Sequence, residues 1–127
     1  SLIGRLSLGE ARLQSDARWP WICLIPRRAG LVEVGELSVT DRAQLIEEAV
    51  ACGAAVRAIG EATGFIVEKL NIGALGNVTP QLHVHVVGRR AGDPAWPGPV
   101  WGHSPAQPYE AEDLAAVTAA ARAALGL

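Results

Sequence analysis

The chain has 127 residues, half of them apolar, with 13 acidic and 11 basic side chains and a formal net charge of −2. That length suits one domain over residues 1–127 with a single substantial core. No apolar run approaches the roughly 18–20 residues of a membrane span. The interspersed charges also lack the concentrated Lys and Arg that bind a long nucleic acid, whereas a small anion needs only a few local donors. Ser1–Glu10 lacks the charged-then-apolar build of a signal peptide. Cys23 and Cys52, both in apolar runs, read as reduced core thiols, so a soluble, cytoplasmic protein is expected.

Leu6–Leu8 and Ala11–Gln14 read as short strands around a turn at Gly9–Glu10. Trp21–Ile25 is a firmer strand, opened by Pro20, which has no amide donor, and stopped by Pro26 ahead of Arg27 and Arg28. Ser38 followed by Asp41 marks a helix start, with the hydroxyl capping and the carboxylate facing the helix dipole. Leu45, Ala49, Cys52, Val56 and Ile59 then form one apolar stripe over about six turns, and Gly64 is the stop. Phe65–Ile72 reads as a strand, Gly73–Pro80 as a loop and Gln81–Arg89 as another strand. Ala91–Pro108, rich in Pro, Gly and Trp, reads as irregular, and Tyr109–Leu125 as a last helix with Leu114, Val117, Ala121 and Leu125 on one side. The link from Ile72 to Gln81 is too short for a parallel crossover. The expected fold is α+β: a mainly antiparallel sheet with one long central helix and a C-terminal helix.

Gln81–Leu82–His83–Val84–His85–Val86–Val87 carries most of the chemistry. Alternation across a strand puts Gln81, His83, His85 and Val87 on one face and Leu82, Val84 and Val86 in the core. Imidazoles two residues apart lie roughly 6–7 Å apart along a strand. One can therefore attack a phosphorus while the other reaches an oxygen of the same group. Histidine suits this near neutrality, because an ordinary pKa of about 6.5 leaves one ring nitrogen nucleophilic, and a phosphohistidine splits one hard displacement into two easier ones. Ahead of the pair, Asn71–Pro80 brings Gly73 and Gly76, which permit close approach. Its loop amides, the Asn77 carboxamide and the Thr79 hydroxyl offer an anion cradle.

These residues resemble the motif of the histidine triad family, His-apolar-His-apolar-His-apolar-apolar behind a glycine-containing loop. The likeness is clearest over Phe65–Arg90 and looser over Asp16–Gly64. The family comprises nucleotide hydrolases and transferases, commonly homodimers whose sheets join across the interface. The resemblance implies His83 as nucleophile, His85 as the group that bonds the phosphate and assists the leaving group, and Gly76 as the glycine whose amide approaches the phosphate. Asn77 takes the neighbouring polar position and Asn71 the polar residue that opens the loop. It further implies a nucleotide as the small-molecule partner, with no redox cofactor and no metal demanded. Two positions depart from the pattern: Gln81 stands at the first histidine of the motif and Trp21 at the family's upstream histidine. The Gln81 carbonyl can still orient the His83 ring, so the departures bear on rate, proton handling and leaving group. Asp16 matches a ribose-binding position, and Leu6, Leu13, Ile22 and Leu24 are candidates for a base pocket.

Several alternatives stay open. The two histidines also fit a plain packed strand. A His-x-His pair also chelates zinc, with His103 as the third histidine of the chain and Asp93 as an acidic ligand. The replacements at Gln81 and Trp21 also fit a nucleotide-binding module without turnover. Trp96 and Trp101 either fill a surface gap or cover the site. Asp16 is equally a turn aspartate, and Arg27, Arg28, Arg89 and Arg90 read first as solvated and second as phosphate-facing.

Overall fold

The computed structural model describes residues 1–127. Strands β1 (Leu2–Arg5), β2 (Gly9–Leu13) and β3 (Trp21–Pro26) precede helix α1 (Val39–Thr63), which is followed by β4 (Lys69–Gly73), β5 (Val84–Arg89) and α2 (Ala111–Ala124). The five strands make one sheet in the order β1-β2-β3-β5-β4, antiparallel throughout. The expected α+β architecture is therefore the observed one.

Helix α1 starts and stops where its capping residues stand. The Ser38 side chain accepts from the Asp41 amide, and Gly64 closes the helix at φ 76°, a left-handed conformation that suits glycine. The apolar stripe packs under the sheet: Leu45, Ala49, Cys52, Val56 and Ile59 meet Ile3, Ala11, Leu13, Ile22, Leu24, Val84 and Val86, with Val117 and Ala121 of α2 closing the core. Burial of these side chains is the main term holding the domain together. The opposite face of the sheet holds a second, smaller cluster of Trp19, Trp21, Phe65, Val87 and Val100.

Three expected boundaries differ. The first two strands are displaced, and Leu6–Leu8 forms the turn, with the Leu6 amide donating to the Gly9 carbonyl. Glu48 of α1 fixes that turn by accepting from the amides of Leu8 and Gly9 at 2.8 and 2.7 Å. A Cβ at Gly9 would collide with Leu24 and crowd the same carboxylate. The stretch after α1 enters the sheet only at Lys69, because Phe65 first bonds back to Gly60 and buries its ring in the aromatic cluster. The last strand begins at Val84 rather than Gln81, since the Leu82 amide donates to the Leu31 carbonyl and β4 has already ended opposite His85.

Replacing Glu48 by alanine leaves two buried amides without an acceptor. It is expected to cost about 2–3 kcal/mol of unfolding free energy in urea titrations, while Glu48→Gln, which keeps one acceptor, loses less.

Candidate active site

The register of β5 against β3 sets the site. Ile22 pairs with Val86 and Leu24 with Val84, all facing the helices, so Trp21, Cys23, His85 and Val87 emerge together on the other face. His85 is buried, and His83 just outside the strand is half-buried, with the two ring centroids 5.0 Å apart at 80°. His83 Nδ1 lies 2.7 Å from the Gln81 carbonyl. A carbonyl only accepts, so Nδ1 carries the proton and Nε2 of the neutral ring keeps its lone pair. Gly76 packs on this ring so closely that a Cβ would strike His83 Cε1. The glycine is thus required by the imidazole itself.

Three grooves share His83. One is lined by Glu33, Gly76, Asn77 and Gln81, a second by Gln14, Cys23, Thr79, Gln81 and His85, and a third by the loop from Leu75 to Thr79. The structure therefore brings His83, His85, Gly76, Asn77, Thr79 and Gln81 together. Gln81 contributes through its carbonyl, and its amide reaches the Arg28 carbonyl at a marginal 3.5 Å.

Both nitrogens of His85 are engaged. Trp21 Nε1 donates to Nδ1 at 3.0 Å, and Nε2 lies 3.2 Å from the Leu75 carbonyl. Burial lowers the pKa of this histidine, as does His83, against the Leu75 contact, which raises it. Trp101 closes the far side with its ring centroid 5.6 Å from that of His85. The irregular segment accordingly covers the histidine through Trp101, while Trp96 lies beside Arg89.

Other expected residues are committed elsewhere. Asp16 is buried; its carboxylate accepts from Arg18 Nε and Nη2 at 2.9 and 2.7 Å and from the amides of Arg18 and Gln107. Those partners use both oxygens to fasten the segment before α2, and Asp16 lines none of the three grooves. Asn71 accepts from Arg89 Nη1 at 2.8 Å. Leu13, Ile22 and Leu24 face the helices in the core, so none of these three is available for a base pocket, while Leu6 is partly buried against that core. Arg89 is not solvated: at 2% side-chain exposure it forks onto Asp93, while Arg90 lies over Phe65. Burial raises the Asp93 carboxyl pKa, but the Arg89 hydrogen bonds outweigh it and hold the group well below the carboxylate range.

His103 lies beside Trp19, at 6.0 Å between ring centroids, and no cluster of three or more His, Cys, Asp or Glu side chains converges as metal ligands. Cys52 is a core thiol, but Cys23 is half-exposed on the histidine face, because strand alternation turns Ile22 and Leu24 inward in its place. Burial pushes the Cys23 thiol up to about 11, so it stays protonated at neutrality. By sequence Trp21 is only a departure from the histidine pattern. Its place on the same face of β3 as Cys23 was the available signal for its contact with His85.

A twisted antiparallel sheet with helices on one face and a His-x-His pair on the other defines an α+β domain built around paired imidazoles behind a glycine loop. A model of the HIT domain matches residues 1–92. A histidine triad protein of Sinorhizobium meliloti 1021 is similar at 48% identity, with a TM-score of 0.88 over 98% of this chain and 88% of that one. One from Bradyrhizobium japonicum is similar at 39% identity, with a TM-score of 0.89 over 98% and 90% of the two chains. One from Marinobacter aquaeolei VT8 is similar at 40% identity, with a TM-score of 0.88 over 99% and 88%. No curated protein matches. The chain belongs to the histidine triad (HIT) family.

Gly76→Ala is expected to displace the His83 ring and, if that ring is the nucleophile, to lower turnover on the order of tenfold or more, with little change in melting temperature. Asp93→Asn should destabilise the fold by about 3 kcal/mol at neutral pH. A carboxyl with a depressed folded pKa contributes stability above its unfolded value of about 3.9 and loses it as pH falls through the folded one. Urea titrations below about pH 4 should therefore show the gap between wild type and variant closing.

Proposed function

We propose that the protein is a nucleotide hydrolase or transferase in which His83 Nε2 attacks the α-phosphorus of a nucleoside phosphate derivative. The observation that carries this reading is the 2.7 Å contact between His83 Nδ1 and the Gln81 carbonyl, which sets the proton of the neutral ring on Nδ1 and leaves the Nε2 lone pair as the nucleophile, on a ring that lines three grooves. The attack breaks the bond from phosphorus to the leaving group and forms a nucleotidyl-histidine. Water then attacks the same phosphorus and gives up a proton to solvent, while the P–N bond breaks and its electron pair returns to Nε2. The proton stays on Nδ1 throughout, donated in a hydrogen bond to the Gln81 carbonyl.

Amides of the Gly76–Asn77 loop and the hydroxyl of Thr79 are the donors for the developing charge. His85 Nε2–H, held on the Leu75 carbonyl in the free protein, joins them once a phosphoryl oxygen takes that carbonyl's place. We read Gln81 as occupying the first position of the triad. Its side chain is dispensable for orienting His83, because the contact is made by the main chain. Asp16 and Asn71, bound to Arg18 and Arg89, support the fold around the site rather than the nucleoside.

The working unit is a homodimer. Strand β4 is an edge of the sheet, and Ile72 on it and Ile46 and Val50 of α1 are exposed, while Gly53 of the same helix abuts Leu70 of β4. A sheet edge flanked by apolar side chains favours joining to a second copy. No helix is long and apolar enough to cross a membrane, and with two free thiols we place the protein in the cytoplasm.

Incubation with α-phosphate-labelled nucleotide substrates should attach label to His83, and His83→Asn should abolish both labelling and turnover. Turnover unaffected by that substitution would sink the mechanism, and nucleotide binding without labelling would make the protein a binding module. His85→Ala is expected to slow turnover more than it weakens nucleotide binding, read as a drop in kcat larger than the rise in Kd.

A further inference from the structure

The surroundings of His85 decide which protons the site can supply. An indole N–H donates and never accepts, so Trp21 Nε1, 3.0 Å away, makes His85 Nδ1 an acceptor. The Leu75 carbonyl at 3.2 Å makes Nε2 the protonated nitrogen. An imidazolium would set an N–H on Nδ1 against the N–H of Trp21, inside a pocket where His85 is 8% exposed. The groups facing the ring are Trp21 and Cys23 from β3, Gly73 from β4, His83 and Leu75 from the preceding loop and Trp101 from the segment above, with no carboxylate among them to support a cation. The lowered pKa of His85 agrees with this geometry. The only proton that such a ring holds would leave an imidazolate behind, so it donates a hydrogen bond but not a proton.

No other group replaces it. The His83 Nδ1–H is engaged by the Gln81 main-chain carbonyl, the Gln81 carboxamide does not ionise near neutrality, and the Glu33 carboxylate is held as an acceptor by the Glu36 amide. At the other end, a second groove that shares Ile25 and Gln81 with the one beside His85 is lined by Arg27, Arg28 and Glu10, whose carboxylate is paired with Arg5 and Arg12. Arg28 forks onto Asp41, but Arg27 pairs with no carboxylate and gives only Nη2 to the carbonyls of Leu6 and Ser7, leaving Nε and Nη1 free. The site thus lacks an acid and offers a cation.

We propose that the substrate is a nucleoside phosphoanhydride whose leaving group departs as a phosphate anion, and that Trp21 sets this preference by holding His85 as a neutral Nε2–H imidazole. This rests on the nucleotidyl-transfer reading above. As His83 Nε2 bonds to the α-phosphorus, the bond to the bridging oxygen breaks with its electron pair on that oxygen, giving an anion that needs no proton and lies toward Arg27. A phosphoramidate instead requires its nitrogen to be protonated before it leaves, and this site has no group to do so.

The test compares diadenosine triphosphate with an N-alkyl adenosine phosphoramidate, and the guanosine pair, in wild type, Trp21→His and Trp21→Phe. Nitrogen NMR of His85 accompanies each protein. In wild type, His85 should be neutral and Nε2-protonated at neutral pH and take up its second proton only at lower pH than an ordinary imidazole, and kcat/KM should favour the anhydride by about 100-fold or more. Trp21→His, which puts an ionisable ring on Nδ1, should narrow that ratio by about tenfold. In Trp21→Phe, which removes the donor with less change in volume, His85 should begin to titrate. A wild type that cleaves the amidate as fast as the anhydride, or a His85 that carries its proton on Nδ1, overturns the proposal. Absence of label on His83 from both substrates instead removes the nucleotidyl-transfer reading, and is distinguished because it leaves the NMR result unchanged.

Discussion

Everything at the candidate site depends on the antiparallel register between β3 and β5. With Cys23 opposite His85 and Trp21 opposite Val87, the indole of Trp21 lies diagonal to His85 on the same face, within reach of its Nδ1. A slip of β5 by one residue would turn the histidine into the core and expose Val84 and Val86. That alternative is closed by the large apolar face against α1, where Ile22, Leu24, Val84 and Val86 are buried almost completely. The core therefore specifies the chemistry indirectly: the burial of one set of alternating side chains holds the other set in position.

The segment after β5 makes the second layer. Its loop has little regular hydrogen bonding, and it is fastened by the buried Arg89–Asp93 pair, with Asp93 also accepting from the amides of Arg90 and Ala95. A buried ion pair is weak evidence for stability in itself. Here it has a positional role, tying the loop to the end of the strand that carries His85 and, through Asn71, to β4. Trp101 and Val100 are brought over the histidine face by that anchorage. Asp16 does the same at the other end through Arg18 and the Gln107 amide. Two carboxylates that motif matching offers as ligands are thus fasteners of irregular chain, which has few backbone partners of its own.

What was legible in the sequence follows from which interactions are local. The caps of α1 and its apolar stripe depend on neighbours three and four residues away, and Ser38, Gly64 and the stripe stand as read. Alternation around His85 is local as well, and Val84 and Val86 face the core as expected. The failures are long-range. The first turn sits at Leu6–Leu8 because a carboxylate 40 residues away accepts its amides. The last strand starts late because Leu82 turns to Leu31. Leu13, Ile22 and Leu24 are apolar whichever face they take, so the sequence could not separate a base pocket from a core. The partners of Asp16 and Asn71 include residues 91 and 18 positions away, beyond any spacing argument.

The two departures from the histidine pattern then differ in kind. At Gln81 the contact to His83 comes from the main chain, which any residue supplies, so that side chain is free to change without loss of the imidazole's orientation. At Trp21 the contact is made by the side chain itself, and exchanging an imidazole for an indole replaces a group that can accept or donate with one that only donates. A substitution of the first kind leaves the proton inventory around His83 as it was. One of the second kind determines the tautomer of the ring it touches, and on the proposed reaction that is how a residue that never faces phosphorus would govern what leaves from it.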